Sequence, residues 1–486
     1  MTSLARSVHG SPATLFASNG SAGTYGAHYA FPDAATLDDG TEVVVCRKST
    51  SHAKYDGDFV VKTRASGGSW SSEAVIFAGL GGQSASGSGV DWRMMDLRVL
   101  ANGDLAGVAY YRTGSLAGGG DGDRFYPVFT KCPAGSNPAV AASWSTPVST
   151  WATGPSISGY TATSDLLELP NGDLLLFTYG GTTIPRDDYR CDVYKSTDDG
   201  ATWAWFSELF DPVDTPGHTY GMAEPQVERL DDGTVYAIYR AVASPWEVWA
   251  KTSTDDCATW SAETLIASNV VNRVGLCLSP DGDLILPYNE FGTALKFRQK
   301  FGSAAWGSAV SCGGPSANVF ASPYNIGTPG VTPDAAIVYA DEVSGQTQAS
   351  VSRLELTRGS DVVLHYVTGY GNTVSAGYGD AETYTPPPAS ITVDPASTVW
   401  QQSGTSIIAR VNPDGPAAVS AVVEHTDGGL VRFRGANASR FEISLDGATW
   451  ASTATVAAGA TDVFLRVTPE PEDSGATLVA EIGVPV

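Results

Sequence analysis

Basic residues are scarce in this sequence. Its 28 lysines and arginines are outnumbered by 52 aspartates and glutamates, which gives a formal net charge of −24 at pH 7. A surface of this sign repels phosphate backbones and anionic lipid, and it offers no basic stripe for counterion release. We therefore expect no nucleic-acid partner and no membrane insertion. A few arginines that converge in one pocket could still bind an anion.

Cysteine is also scarce, and no C-x-x-C pair occurs. The six cysteines are scattered along the chain: Cys46, Cys132, Cys191, Cys257, Cys277 and Cys312. This spacing predicts neither a zinc site nor a dense disulfide framework, so we expect mostly buried free thiols, no metal site and no cofactor. The glycine-rich loop 118–123 contains two aspartates but lacks the other ligands of a calcium-binding loop. We interpret it as a flexible turn.

Long apolar runs are absent as well. No stretch of about 18 apolar residues occurs, and residues 1–10 have no apolar segment after their positive charge. We expect neither a Sec-type signal peptide nor a membrane span. Charged residues make up only 16% of the chain, whereas it has 54 glycines and 28 prolines. This composition favours short strands and turns over helical bundles, and it predicts an all-β protein.

A strand, a glycine-centred turn and a second strand recur along the first two thirds of the chain. The turn glycines are Gly40, Gly103, Gly172, Gly233 and Gly282. Each follows Asn or Asp, the residues that tight hairpins prefer. A sixth copy at 331–339 has alanine in place of glycine. Intervals of about 50 to 70 residues leave room for about four strands per copy, so the repeat predicts a six-bladed β-propeller.

The repeat also predicts the domain organisation. Residues 1–20 form an N-terminal arm that includes the strand closing the ring, and residues 21–357 form the propeller. A linker at 358–388 ends in three consecutive prolines, which cannot belong to a central strand. Residues 389–486 alternate apolar and polar positions in short runs, a pattern typical of a small immunoglobulin-like β-sandwich.

Two segments resemble a known family. Residues 196–203 read S-x-D-x-G-x-T-W, and residues 253–260 read the same with Cys257 in place of glycine. They resemble the Asp boxes of the sialidase (neuraminidase) superfamily. The resemblance implies a sialidase-like six-bladed propeller for residues 11–357, with these boxes on its periphery. It gives Asp198 and Asp255 a structural role rather than a catalytic one.

The same resemblance implies candidate catalytic residues. Sialidases use an arginine triad for the substrate carboxylate, an aspartate acid/base, and a tyrosine nucleophile activated by a glutamate. The segments that are similar here give Asp56 as the acid/base, Glu224 as the glutamate and Tyr324 as the nucleophile. Arg47 precedes Asp56, and Arg240 is similar to the second arginine of the triad. Alanine, at position 30, stands where the first arginine is expected, and Arg273 and Arg298 are candidates for the third.

A second set of candidates comes from the repeat itself. Asp33, Asp96 and Asp165 each lie seven positions before a turn glycine, so they should reach one level of the channel. Together with Arg93 and Glu224 they predict an acidic rim for sugar hydroxyls or for the paired carboxylates of glycosidic cleavage. The alternative is that these aspartates cap strand ends. Trp92 either stacks on a sugar or belongs to the core.

Three functions fit these observations. The first is a carbohydrate-recognising phage tail or receptor-binding protein, an adhesin for host surface polysaccharide. It would act in the virion tail or outside the cell after lysis, with other tail proteins as partners and a homotrimer as its assembly. The second is a glycoside hydrolase, either sialidase-like or an exo-glycosidase of altered specificity. The third is a structural propeller without a ligand.

Overall fold

The computed structural model describes residues 6–358 with internal gaps and, beyond them, separate strands between 362 and 483. The gaps lie at 53, 80–89, 114–123, 151–159, 182–187, 214–217, 219, 231, 271, 280–281, 291–294, 302–304, 313–317, 327–334 and 344–347. The loop 118–123 and the prolines at 386–388 are outside the described residues. The chain forms two compact units, one of which consists of Val8–Lys300 and Trp306–Thr357.

Strands build this larger unit. The first five are β1 (Arg6–Phe16), β2 (His28–Thr36), β3 (Glu42–Ser49), β4 (Asp58–Arg64) and β5 (Ala74–Phe77). The next four are β6 (Asp91–Val99), β7 (Leu105–Thr113), β8 (Arg124–Cys132) and β9 (Val148–Ser149), with a short 3₁₀ turn at Ala141–Ser143. They are followed by β10 (Tyr160–Glu168), β11 (Leu174–Gly181), β12 (Arg190–Ser196) and β13 (Ala204–Phe210).

The chain continues with the same type of four-strand group. The next group is β14 (Met222–Arg229), β15 (Val235–Ala241), β16 (Val248–Ser253) and β17 (Thr264–Ala267). The following strands are β18 (Cys277–Leu278), β19 (Asp283–Asn289), β20 (Leu295–Phe301) and β21 (Val310–Ser311). The last strands are β22 (Asn318–Asn325), β23 (Ala335–Val343) and β24 (Gln348–Arg358).

Four sheets of four sequential strands result, each an up-and-down meander: β6 to β9, β10 to β13, β14 to β17 and β18 to β21. An eight-stranded sheet has the order β22-β23-β24-β2-β3-β4-β5, with β1 paired to β24. Its two halves are joined through one parallel residue pair, His28 with Ala349. The first strands of successive sheets lie side by side. The all-β prediction is confirmed, and the sheets have a propeller arrangement.

The five turn glycines explain why the hairpins repeat. All five have a positive φ, between 78° and 86°, a conformation that side chains other than glycine rarely adopt. In the first sheet the Gly40 N–H donates to Leu37 O, and the Leu37 N–H donates to Thr41 O. The other four turns have the same pair of bonds. These turns therefore define one end of each of the five sheets of the larger unit, and we call the opposite end the loop face.

Apolar side chains fill the space between successive sheets. Val45 and Phe59 of the eight-stranded sheet pack in one cluster with Met95 of β6. Leu174 of β11 packs in another cluster with Phe129 of β8. All six cysteines lie within the described residues, and each is buried as a free thiol. No helix in the described part of the chain is long and apolar enough to cross a membrane.

The two S-x-D segments form closed turns after β12 and β16. Asp198 accepts from the Thr202 backbone N–H at 2.8 Å and from its hydroxyl at 2.5 Å, and Ser196 donates to Asp198 at 2.8 Å. Asp255 holds Thr259 with the same contacts. These bonds are local to each turn, which is a structural use of both aspartates.

The smaller unit consists of Met1–Ser7, Phe301–Ala305 and Arg358–Val486. Its described strands past β24 are β25 (Val362–Val367), β26 (Val374–Ser375), β27 (Thr398–Ser403), β28 (Ser406–Val411), β29 (Ala418–Glu424), β30 (Leu430–Arg432), β31 (Phe441–Ser444), β32 (Val463–Val467) and β33 (Thr477–Gly483). They form two sheets, in the orders β26-β25-β33-β29-β30 and β27-β28-β32-β31. Two of these strands, β25 and β26, fall within the predicted linker 358–388.

Trp203 tests the packing between sheets. Its ring is buried, lies 5.5 Å from the Phe129 ring between centroids, and donates from Nε1 to Gly200 O at 3.1 Å. Trp203→Ala should lower the free energy of unfolding by about 3–5 kcal/mol, measured by urea unfolding with far-UV circular dichroism. Leu265, which is 45% exposed, is the control, and Leu265→Ala should cost less than about 1 kcal/mol. Equal losses would contradict this assignment.

Candidate functional site

Two β-bulges aim side chains at the loop face. The β2–β3 register passes from the pair Ala30 with Arg47 to the pair Asp33 with Val45, so β2 carries one extra residue. The β14–β15 register shifts in the same way after Ala223. Each bulge holds a non-glycine residue at positive φ, which is Phe31 (52°) in β2 and Glu224 (55°) in β14. Both are followed by proline, which cannot donate to a ladder.

Glu224 forms an ion pair with Arg240 of β15. Arg240 Nε donates to Glu224 Oε2, and the two side chains are 10% and 12% exposed. Burial lowers the pKa of Arg240, but the Glu224 carboxylate raises it by more, so the pKa lies above its ordinary value. Arg240 is therefore charged at neutral pH, and the pair offers both an acceptor and a donor to a ligand at the loop face.

Two tyrosines connect this pair to the second strand group. Tyr179 of β11 lies beside Glu224 and hydrogen-bonds Tyr110 of β7, and burial with these neighbours raises the pKa of Tyr179 well above its usual range. Tyr110 in turn lies beside Arg93 of β6. The guanidinium carbon of Arg93 lies 5.3 Å from the centroid of the Phe31 ring. We call this continuous set the mouth row: Arg93, Tyr110, Tyr179, Glu224 and Arg240.

Arg47 and Asp56, both predicted from the sialidase resemblance, lie next to the mouth row in a separate cluster. Arg47 is fully buried and donates to Asp91 Oδ1 at 2.8 Å. Arg112 donates to the other oxygen of Asp91 at 2.6 Å, so three arginines including Arg93 lower the pKa of Asp91 although burial opposes them. Asp56 is 4% exposed and accepts hydrogen bonds from the Thr50 backbone N–H and hydroxyl.

The three repeat aspartates lie deeper in the channel. Asp33 accepts from the Leu97 N–H of β6 at 2.6 Å, and Asp165 accepts from the Val227 N–H of β14 at 2.8 Å. Both bonds join the first strand of one sheet to the first strand of the next. Asp96 is paired with Arg273, whose pKa burial lowers to about 10. The contacts of Asp33 and Asp165 favour the alternative in which these two aspartates satisfy backbone groups.

A cavity of about 210 Å³ lies at this depth. Its lining is acidic and includes Asp33, Asp96, Asp165, Glu228 and Tyr324. Arg98 crosses it, donating to the two oxygens of Glu228 at 3.0 and 3.1 Å and to Asp165 at 3.3 Å. Burial raises the pKa of Asp165 to about 7 although Arg98 opposes the rise.

Tyr324 does not join Glu224. Its hydroxyl donates to Glu42 Oε2 at 2.6 Å and accepts from Arg353 at 2.5 Å, close to the turn end of β3. Four residues of β22 separate it from Phe320, about 13 Å along the strand. Phe320 is the β22 aromatic at the loop face, with its ring 4.9 Å from that of Phe31.

Trp92 lies between sheets. Its ring centroid is 5.4 Å from that of Phe59 and 5.2 Å from those of Phe77 and Tyr111, which places it in the core. The structure thus gathers Arg47, Asp56, Arg93, Glu224 and Arg240 at the loop face, and it places the three repeat aspartates with Tyr324 along the cavity below.

Sequence reasoning missed Phe31, Tyr110 and Tyr179 as site residues. One signal was available, because Tyr110 and Tyr179 both stand seven positions after a turn glycine, at the loop-face end of the second strand.

No protein-family model and no curated protein matches this sequence. Solved structures do match. A protein of unknown function from Dyadobacter fermentans is 15% identical, with a TM-score of 0.57 over 74% of this chain and 100% of its own. A leech intramolecular trans-sialidase is 13% identical, with a TM-score of 0.54 over 72% and 70%. A Trypanosoma rangeli sialidase in complex with sialic acid is 11% identical, with a TM-score of 0.50 over 97% and 95%. At such low identities, these structural matches show the fold alone, which is a sialidase-like propeller.

Asp165 makes stability depend on pH. The folded pKa of about 7 exceeds the unfolded value of about 3.9, so between these values the unfolded chain releases a proton that the folded chain keeps. Stability from this residue is therefore complete below about pH 4 and is lost as pH rises to about 7. Asparagine does not titrate, so Asp165→Asn lacks this pH dependence. The free energy of unfolding of the variant, measured by urea unfolding and expressed relative to wild type, should therefore increase as pH rises from about 4 to about 7. A difference independent of pH would show that Asp165 is ionised throughout.

Proposed function

We propose that this chain is a carbohydrate-recognising receptor-binding protein of a phage tail, an adhesin that binds host surface polysaccharide at the loop face. The mouth row is the observation that carries the proposal. It alternates donors, an acceptor and aromatic hydroxyls at the loop-face ends of three neighbouring sheets. Sugar hydroxyls both donate and accept hydrogen bonds, so they fit such a row. A sialidase bound to sialic acid among the structural neighbours supports a glycan as the ligand.

The glycoside hydrolase is the second candidate, favoured by Tyr179 beside Glu224. A tyrosine nucleophile must lose its proton, and its raised pKa makes Tyr179 a poor one. Tyr324 is held by Glu42 and Arg353 away from Glu224. Phe320, which reaches the loop face from β22, has no hydroxyl. These contacts favour recognition over hydrolysis.

The arginines around Asp91 bear on which sugar is bound. Arg47, Arg93 and Arg112 all lie within 3.7 Å of the Asp91 carboxylate. Arg47 is fully buried and Arg112 directs its Nε at the buried Asp91, so neither is placed to clamp a ligand carboxylate. This favours neutral or weakly anionic sugars over sialic acid as the ligand.

We also propose that the propeller has six blades and occupies 21–357. The eight-stranded sheet would then be two blades, β2 to β5 and β22 to β24 with β1. Two observations support this count. A single parallel pair joins the halves, and β22 lies against both β18 and β2, which completes a circle of first strands.

An immunoglobulin-like fold is proposed for 389–486, with β25 added from 362–367. The two sheets of the smaller unit support it. Attachment to other virion tail proteins through this unit, a homotrimeric assembly and release by lysis belong to the same proposal.

Removing either member of the Glu224–Arg240 pair should abolish glycan binding. Glu224→Gln keeps the side-chain shape but loses the charge that pairs with Arg240, and Arg240→Ala leaves the carboxylate without its partner. Glycan-array binding of the folded variants is the measurement, with a loss of about 10-fold or more expected. Tyr324→Phe and Asp198→Asn are the controls, because both residues lie away from the mouth row. Undiminished binding in both pair variants would refute the assignment.

Turnover tests recognition against hydrolysis. On a panel of aryl glycosides that includes an aryl sialoside, the protein should show no turnover approaching about 1 s⁻¹, the low end of ordinary enzymes. Turnover at or above that rate, lost in Glu224→Gln, would replace the adhesin by the hydrolase.

A further inference from the structure

Two histidines and a glutamate from three separate segments meet beside the mouth row. His28 lies on β2, His52 in the loop between β3 and β4, and Glu342 on β23. His28 Nε2 and His52 Nδ1 each lie 2.7 Å from the same oxygen, Glu342 Oε1. Among the described residues, these three offer ligand atoms that all lie within 4.8 Å of one another.

We propose that His28, His52 and Glu342 bind a divalent transition-metal ion of the zinc type. Imidazole nitrogen and carboxylate oxygen are zinc ligands, and two histidines with one glutamate leave a coordination position open to water or ligand. Calcium and magnesium prefer sites made wholly of oxygen, so the two nitrogens select against them.

The environment of Glu342 supports this site. Its side chain is fully buried, and its second oxygen, Oε2, has no hydrogen-bond partner among the described residues. A buried carboxylate oxygen without a partner is costly, and a cation at this point would compensate it. Bonds of about 2.0–2.1 Å in a tetrahedral site separate ligand atoms by about 3.3 Å. Metal binding would require the present 2.7 Å contacts to lengthen to about this spacing.

A hydroxyl contacts the imidazole of one histidine, and an arginine fixes the backbone of the other. The Ser49 hydroxyl lies 3.4 Å from His28 Nδ1, the ring nitrogen that faces away from Glu342. Arg93 donates to the backbone carbonyl of His52 at 2.6 Å. A group behind the outer ring nitrogen of a metal-ligating histidine orients that ring, as the Ser49 hydroxyl does for His28. His28 is buried, whereas the His52 side chain is 24% exposed, so an ion can enter from its side.

The experiment measures metal content without any glycan. The full-length protein is stripped with EDTA, dialysed against Zn²⁺ or Co²⁺, freed of unbound ion and analysed by mass spectrometry. Wild type should retain one equivalent, and Co²⁺ should give the intense visible bands of a four- or five-coordinate site. His52→Ala, at a partly exposed position, should weaken Zn²⁺ affinity by about 100-fold or more, since even groups behind a ligand contribute about 10- to 100-fold.

His218 provides the matched control. Its Nε2 lies 2.7 Å from Glu263 Oε2. This is the same type of histidine–glutamate contact, but it involves one histidine instead of two. His218→Ala should keep the full equivalent, and Glu342→Gln should lose it. Retention of less than a tenth of an equivalent by wild type would overturn the proposal, as would equal retention by wild type and folded His52→Ala. Glycan binding does not enter these outcomes, so they are independent of the proposed function.

Discussion

In each four-stranded sheet of the larger unit the first strand is an edge, and its backbone groups face the channel without a partner strand. Unpaired N–H groups in a buried place cost free energy. Side chains supply the missing bonds, because Asp33 accepts from Leu97 and Asp165 accepts from Val227. Gln226 is a donor rather than an acceptor, and its side-chain amide donates to the backbone carbonyl of Ser164 at 2.8 Å. The channel is therefore held together by side chains that bridge neighbouring sheets, and its acidic lining follows from this requirement.

This constraint places the structural carboxylates and the proposed binding residues at different levels of the channel. Carboxylates at the middle level are committed to backbone groups and to Arg98 and Arg273, so they are unsuited to bind an exchangeable ligand. Above them, the bulges at Phe31 and Glu224 interrupt the ladder and hold two residues in a costly left-handed conformation. Such strain persists only where the surrounding fold imposes it, and here it brings Glu224 to the loop face beside Arg240.

Local chemistry made the fold predictable from the sequence. Asn-Gly and Asp-Gly turns specify hairpins within a few residues, so the five glycines indicated the repeated strands directly. The depth at which each side chain lies in the channel was harder to predict. Phe320 and Tyr324 share one face of β22, and the period of two in a strand cannot tell which of them reaches the loop face. Arg47 resembled a ligand-binding arginine, but its partner Asp91 comes from another sheet. His28 and Glu342 are more than 300 positions apart, and only the fold brings them together.

The pairing of β1 with β24 places the beginning and the end of the propeller unit in one sheet. Ser18 N donates to the Ser350 hydroxyl at 2.9 Å, across 332 positions of sequence. The loop-closure entropy of such a contact must be overcome before the contact stabilises anything. During synthesis at about 5–20 residues per second, the N-terminal strand waits on the order of tens of seconds for its partner. Until then the sheets have exposed edges, so the nascent chain depends on its sequential meanders, which form from neighbouring residues, to keep those edges short.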